Sequence, residues 1–126
     1  MQTRRTSPDV PSARGQLGAW GEAAVVADLE RRRFRIVARN QRIAGVEVDI
    51  VARKGRNWLV MEVKTAHGWR PEDSLFPKQI KRLRRAAAAI PAAFHCSPRQ
   101  VGVVLAAVSV AEGSCPAIRF FDLLNR

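Results

Sequence analysis

Two apolar runs that contain acidic residues constrain the fold of this chain more than any other feature. Residues 46–52 and 58–64 are mostly aliphatic, and the polar residues 53–57 between them have the composition of a turn. The pattern predicts two strands joined as a β-hairpin. Four charged residues lie in the two runs: Glu47, Asp49, Glu62 and Lys64. Charges inside strands are disfavoured unless a partner compensates them, so the hairpin also predicts a site at which a cation or an ion pair compensates these charges.

Strand geometry brings these charges together. Side chains alternate between the faces of a strand, so we expect Glu47 to share a face with Asp49, and Glu62 to share one with Lys64. A hard divalent cation would compensate the carboxylates, because magnesium prefers carboxylate and water oxygens. An ion pair between Glu62 and Lys64 on a solvated sheet face explains the same residues equally well.

In the metal interpretation, Asp49 and Glu62 are direct ligands of Mg²⁺ or Mn²⁺, and the backbone carbonyl of Val63 is a third. Lys64 follows Glu62 by two residues, about 6–7 Å along the strand. If the metal serves hydrolysis of a phosphate ester, Lys64 can orient the attacking water there or stabilise charge at the phosphorus. Two further residues are candidates for the same site: Glu22 as a water-mediated ligand, and Gln79 as a hydrogen-bond partner of Lys64 or of a phosphate.

Helical spacing of apolar residues predicts two helices. The first spans residues 15–32, and its predicted buried face consists of Leu17, Trp20, Ala24 and Ala27. Glycines at positions 15, 18 and 21 weaken a helix, so they indicate close approach to another element or a frayed first turn. The second helix begins at Pro77 and is ended or kinked by Pro91. Its apolar stripe consists of Ile80, Leu83, Ala87 and Ile90.

The opposite side of the second helix is basic. It consists of Lys78, Lys81, Arg82 and Arg85. If the partner is a nucleic acid, we expect these residues to contact its backbone phosphates without base specificity. By itself, however, a charge stripe on a helix is usually a solvated face.

Three more strands complete the order α-β-β-β-α-β-β. The first covers residues 34–39 and places Phe34, Ile36 and Ala38 on one face. Residues 101–110 are apolar except for Ser109, which is typical of a buried strand. Residues 117–124 predict a last strand at an edge of the sheet. Residues 66–76 are predicted to form a loop with one exposed tryptophan.

Composition indicates one domain with a polyanionic partner. The chain has 126 residues, 47% of them hydrophobic, which suits a single domain over residues 15–126 after a flexible basic arm of residues 1–14. The formal net charge is +11, and all but four of the 22 basic residues are arginine. Arginine presents a planar fork that suits phosphate, which favours nucleic acid as the partner. An arginine-rich but merely solvated surface is the alternative.

Cysteine content and hydropathy suit a cytoplasmic protein without a membrane partner. The two cysteines, Cys96 and Cys115, fit no common zinc spacing, so we expect free core thiols in a reducing cytosol. Residues 1–14 lack the apolar stretch of an export signal. The longest apolar run, residues 101–108, is far shorter than the roughly 18 residues that a membrane span needs.

Several short motifs together resemble one family. They are Gly21-Glu22 on the first helix, Arg-Asn-Gln-Arg at 39–42, Glu-Val-Asp-Ile at 47–50, Glu-Val-Lys-Thr at 62–65 and Lys-Gln-Ile-Lys-Arg-Leu at 78–83. The Asp-(x)n-Glu-x-Lys part resembles the PD-(D/E)xK nuclease signature. The wider pattern resembles the YraN family of small bacterial proteins, which is similar in turn to archaeal Holliday-junction resolvases. The match covers residues 15–90 well.

The resemblance implies a fold, an active constellation and an activity. The fold is α/β with a restriction-endonuclease-like core, in which helices flank a mixed sheet. The active constellation is Asp49, Glu62 and Lys64, with Glu22 as accessory acid. The activity is metal-dependent hydrolysis of phosphodiester bonds in DNA, including branched or single-stranded forms. A homodimer is compatible with this resemblance, although no heptad or self-complementary patch predicts one.

Three positions depart from the family pattern. Val46 stands where glycine usually precedes the first hairpin acid, with Gly45 one step earlier. Arg33 stands where a glycine usually ends the first helix, and Gly102 stands where an acid is often found in the later strand. None of these changes removes a catalytic residue type. Two functions from other classes therefore stay open: a nucleic-acid-binding protein that cleaves little, and a module that binds other nucleic-acid machinery.

Overall fold

The protein is built around a five-stranded sheet with helices on both faces. A computed structural model describes residues 14–68, 70–111 and 115–124. Its elements are α1 (Arg14–Arg31), β1 (Arg35–Ile43), β2 (Val46–Lys54), β3 (Asn57–His67), a 3₁₀ helix (Pro71–Ser74), α2 (Pro77–Ala88), α3 (Ile90–Ala93), β4 (Gln100–Val110) and β5 (Ala117–Asp122). The predicted order α-β-β-β-α-β-β is thus confirmed, with two short helices added. The predicted arm, apart from Arg14, and the loop tryptophan Trp69 lie outside the described residues.

The sheet is mixed, as expected, and its strand order follows the chain from β1 to β5. β3 and β4 pair in parallel, whereas the other neighbours pair antiparallel. Parallel neighbours need a long crossover connection. Here α2 and α3 provide it, which puts α2 across one face of β2, β3 and β4. α1 packs on β3 and the adjoining strands from the other face.

A separate apolar cluster lies on each face. The α2-side cluster includes Val48, Val51, Val60, Leu83, Ile90, Val103 and Leu105. The α1-side cluster includes Val25, Leu29, Ile50, Met61, Val63, Ala106 and Val108. Alternate residues of β3 therefore enter opposite cores, which explains why the run at 58–64 is apolar almost throughout.

The buried face of α1 agrees with the predicted one only in part. Leu17 is buried and Trp20 packs half-buried on the α1-side cluster, as predicted. Ala27, however, is exposed, whereas Val25 and Leu29 are buried. The face therefore follows the spacing of Leu17, Gly21, Val25 and Leu29. The larger aliphatic side chains decide the orientation, because they gain more from burial than alanine does.

β1 also differs from its prediction. It extends to Ile43, so residues 39–42 lie within the strand and not after it. A bulge between Ile36 and Ala38 shifts the register with β2. Phe34 and Ile36 pack on the α1-side cluster, whereas Ala38 packs on the α2-side cluster. The shared face predicted for these three residues was wrong, because an extra residue reverses the alternation.

Smaller corrections concern the loop and the thiols. β3 runs through His67, so the predicted loop at 66–76 is shorter and contains the 3₁₀ helix. Both cysteines are free, as expected; Cys96 is half-buried and packs against the α2-side cluster, whereas Cys115 is exposed and is not a core thiol. In the described parts of the chain, no helix combines the length and apolar character needed to cross a membrane.

Candidate active site

Asp49 and Glu62 lie where strands β2 and β3 separate. The antiparallel ladder ends at the pair Ile50 and Met61, so the two acids come directly after its last pair. Beyond that point the Asp49 side chain replaces a backbone partner. Its Oδ2 accepts a hydrogen bond from the Val63 backbone N–H at 2.8 Å. This bond holds Asp49 against the strand that carries Glu62.

β2 changes orientation at Asp49. Val48 packs in the α2-side cluster and Ile50 in the α1-side cluster, although regular alternation would place both on one face. Because alternation is broken here, it does not place Glu47 and Asp49 on a common face, as the sequence pattern predicted. Glu47 is still close enough for its charge to help raise the pKa of Asp49.

Glu62 forms an ion pair with Lys64 and adjoins Asp49. The Lys64 Nζ lies 3.5 Å from Glu62 Oε2, and only 24% and 18% of the two side chains are exposed. Burial and then the charge of Asp49 raise the pKa of Glu62 to about 7, while Lys64 acts in the opposite direction. The ion pair of the alternative interpretation thus exists, and the Asp49 side chain hydrogen-bonds to Glu62 beside it.

Burial is the largest influence on the other two acids as well. It raises the pKa of Asp49, although the Val63 N–H and the Lys64 charge oppose this rise. It also raises the pKa of Glu22, and the charge of Asp49 adds to that effect. The fold therefore gathers Glu22, Asp49 and Glu62 into one electrostatically coupled group.

A close contact of α1 with β3 brings Glu22 to this group. A Cβ atom at Gly21 would lie 1.8 Å from Thr65 Oγ1 and 2.9 Å from its Cβ, so only glycine fits there. A Cβ at Gly18 would meet nothing within 4 Å. The close approach predicted from the glycines is therefore specific to Gly21. Thr65 directly follows Lys64, so the contact fixes α1 beside the candidate site.

β1 contributes neighbours of Glu22 for which sequence reasoning predicted no role. The charge of Arg39 and a hydrogen bond from the Asn40 side chain lower the pKa of Glu22 against the effect of burial. Asn40 has a positive φ of 50°, a conformation that asparagine tolerates better than most residues. Both residues belong to the Arg-Asn-Gln-Arg motif at 39–42, but the sequence pattern predicts this motif after the first strand and not within it.

A groove with a volume of about 480 Å³ opens beside Glu62. Its lining includes Glu62, Glu47, Arg42, Gln79, Arg82 and Arg85. The side-chain Oε1 of Gln79 also accepts a hydrogen bond from the Phe76 backbone N–H at 2.8 Å, which caps α2. Of the basic residues predicted on α2, Arg82 and Arg85 thus reach the groove. Lys78 and Lys81 are exposed on the same helix and are not part of its lining.

The donor atoms suit a magnesium-like cation. In the described residues, no three His, Cys, Asp or Glu side chains are grouped to hold a metal by themselves. Magnesium commonly uses one or two carboxylates and keeps several waters, so Asp49 and Glu62 are a sufficient protein contribution. N–H and C=O groups of one strand residue point to the same neighbour, so the Val63 carbonyl also faces the Asp49 side. Asp49, Glu62 and the Val63 carbonyl therefore fit a magnesium-like cation.

Comparison with known proteins places the chain in a family. Residues 21–110 match the model of the uncharacterised protein family UPF0102. The chain belongs to UPF0102. This confirms the predicted YraN membership, because the two names denote the same family.

UPF0102 relatives match the chain over different lengths. A UPF0102 protein of Nitratidesulfovibrio vulgaris is 39% identical over 90% of this chain and 87% of its own. One of Acidothermus cellulolyticus is 42% identical over 62% of this chain. One of Parvibaculum lavamentivorans is 37% identical over 68% of this chain. The matches span 61% and 65%, just under two thirds, of the Acidothermus and Parvibaculum proteins.

One solved structure has a similar backbone trace. It is Hjc of Archaeoglobus fulgidus, described as a Holliday junction resolvase. The likeness has a TM-score of 0.48 and 18% sequence identity, and it covers 84% of this chain and 72% of that one.

Proposed function

We propose that this UPF0102 protein is a metal-dependent nuclease that hydrolyses phosphodiester bonds in DNA, including branched or single-stranded forms. The observation that carries the proposal is the meeting of Asp49 and Glu62 where β2 and β3 part, with Lys64 3.5 Å from Glu62. Two adjoining half-buried carboxylates with raised pKa values support the proposal, because a divalent cation would compensate their charges when both are ionised. The Asp-(x)n-Glu-x-Lys spacing of PD-(D/E)xK nucleases supports the same activity.

Each residue has a defined task in this proposal. Asp49, Glu62 and the Val63 carbonyl hold Mg²⁺ or Mn²⁺, which when bound supplies charge for the phosphoryl oxygens and acidifies water. Lys64 orients the attacking water and stabilises charge that develops at phosphorus. Glu22 holds a water at the edge of the site. Gln79 lies in the same groove, where its amide can donate to a phosphate oxygen.

The basic residues of α2 supply affinity for the substrate. Lys78, Lys81, Arg82 and Arg85 are all exposed, and arginine and lysine bind phosphate through charge-assisted hydrogen bonds. Their position on the helix that borders Glu62 supports contact with the strand being cleaved. The formal net charge of +11 supports a polyanionic partner. Free thiols support a reducing cytoplasm as the compartment.

A nucleic-acid-binding protein that keeps the fold but cleaves little is the second candidate. The ion pair between Lys64 and Glu62 favours it, because a carboxylate already paired with an ammonium group binds a cation less readily. The basic side of α2 suits both candidates equally.

Incubation with labelled DNA separates the two candidates. The purified protein is mixed with duplex, single-stranded and four-way-junction DNA of matched sequence, with Mn²⁺, Mg²⁺ or EDTA. Metal-dependent cleavage that is lost in Asp49→Asn supports the nuclease. Binding without cleavage of any of the three substrates, under every metal condition, would favour the second candidate.

A further inference from the structure

The groove beside Glu62 has arginines on both of its walls. One wall is the end of the β1–β2 hairpin, which contributes Arg42, and the other is α2, which contributes Arg82 and Arg85. Two carboxylates, Glu47 and Glu62, also line it. Guanidinium groups from two different elements face one small space, and this arrangement suits an anion between them.

Arg42 is positioned by the tight turn that follows it. Its Nη1 donates to the Gly45 carbonyl at 3.0 Å, which leaves other N–H groups of the guanidinium available. Ala44 and Gly45 both have positive φ, 51° and 78°, as two-residue hairpin turns require. Ala44 pays a steric cost for this conformation. The hydrogen bond therefore links the Arg42 guanidinium to the turn at the edge of the groove that Arg42 lines.

The volume of the groove suits a single nucleotide. Its volume of about 480 Å³ lies in the range that a small organic ligand occupies. Leu83 in its lining is 2% exposed and belongs to the core, so the groove cannot widen there without cost. A base pair with both of its backbones is larger than this space. The size of the groove therefore favours an unpaired strand as its ligand.

We propose that this groove binds one nucleotide of an unpaired strand beside the scissile phosphate, with Arg42, Arg82 and Arg85 holding its phosphate. The inference rests on the proposed nuclease function, because the neighbouring Glu62 sets where the scissile bond lies. It adds a residue outside the catalytic group, Arg42, that determines preference for unpaired strands. The phosphate is either an internal diester or a terminal monoester, which share the same anionic oxygens.

Binding without metal tests the groove separately from catalysis. Fluorescent 15-nucleotide single strands, with and without a 5′-phosphate, are titrated in EDTA alongside a blunt duplex of the same sequence. The variants are Arg42→Ala and a matched control, Arg35→Ala. Arg35 is exposed and begins the strand in which Arg42 lies, about 20 Å or more away by strand rise. Both changes remove one positive charge.

Arg42→Ala should weaken single-strand binding about tenfold and duplex binding less than threefold, whereas Arg35→Ala should change both by less than threefold. A larger loss with the 5′-phosphorylated strand identifies a terminal monoester, and equal losses identify an internal diester. Equal weakening of strand and duplex by Arg42→Ala, or no weakening, overturns the groove proposal even if the protein cleaves DNA. A selective loss in a protein that never cleaves supports the groove and refutes the nuclease.

Discussion

Asp49 accepts a hydrogen bond from the backbone N–H of Val63, with 2.8 Å between the nitrogen and Oδ2. This bond joins two strands where their ladder has ended and keeps one carboxylate beside another. Without it the two strands could separate further and the acids could relax away from each other. The fold thus maintains an arrangement that is electrostatically unfavourable by itself, and this is the basis of the first two predictions.

In the absence of metal, stability should fall as pH rises from about 4.5 to about 7. The pKa of Glu62 is raised from 4.5 to about 7, so in this window the folded protein retains a proton that the unfolded chain has lost. The loss from this residue approaches about 3 kcal/mol, and it is complete above the folded pKa. Urea denaturation in EDTA at several pH values measures it. Glu62→Gln should have a flatter profile in this window, and an identical profile would refute the role of Glu62.

Mg²⁺ or Mn²⁺ should stabilise the protein through the same carboxylates. At pH 8, a hundredfold excess of cation over its Kd contributes about 2.7 kcal/mol to the free energy of unfolding. Thermal denaturation should show this gain in the native protein and not in Asp49→Asn or Glu62→Gln. Glu30→Gln, an exposed acid on α1, is the control and should keep the full gain. A gain retained by both site variants would place the cation elsewhere.

Cleavage and DNA binding should separate in variants of the site. Glu62→Ala and Lys64→Ala should abolish cleavage, because they remove a metal ligand and a charge that acts at phosphorus. Affinity for DNA should be kept or increased in Glu62→Ala, since a negative charge near the phosphate is lost. Cleavage assays and anisotropy titrations on the same preparations measure both. Parallel loss of binding and cleavage in the two variants would mean that these residues maintain the fold.

Gly21→Ala should destabilise the protein, and Gly18→Ala should not. The new Cβ at position 21 would lie 1.8 Å from Thr65 Oγ1, whereas position 18 is open. Overpacking of this kind costs about 1–3 kcal/mol, and replacing an open helical glycine with alanine contributes about 0.5–1 kcal/mol of stability. Chemical denaturation measures both changes. Adding Thr65→Ala to Gly21→Ala should restore part of the loss, and failure to do so would mean that α1 moves for another reason.

Removal of basic residues from α2 should reduce the salt dependence of DNA binding. If Lys81 and Arg85 each neutralise one phosphate, the double alanine variant should have a log K against log salt slope shallower by up to about two. The control is Arg35→Ala with Arg99→Ala, which removes the same charge from exposed residues at the far end of the sheet. Affinity for all sequences should fall alike. An unchanged slope would indicate that the nucleic acid contacts another surface.

Local periodicity was sufficient to predict the elements and most of their order. The β2–β3 hairpin, the two-faced helix α2 and the buried strand β4 followed from the spacing of their own apolar residues. Such patterns depend on near neighbours alone. The face of Ala38 in β1 was not predictable from spacing, because a bulge that depends on pairing with β2 reverses it. The exposure of Ala27 was not predictable either, because side-chain size decides between two helix faces of nearly equal spacing.

The sequence by itself determined which residue types the site contains: Asp49, Glu62 and Lys64 are all in the predicted hairpin. Only the tertiary structure decided how they meet. Asp49 reaches the Val63 N–H because β2 and β3 part there. Arg42 lines one groove with Arg82 and Arg85 because the crossover places α2 across the same face of the sheet. Both arrangements join residues of different elements, and they depend on strand register and helix packing, which no local sequence pattern records.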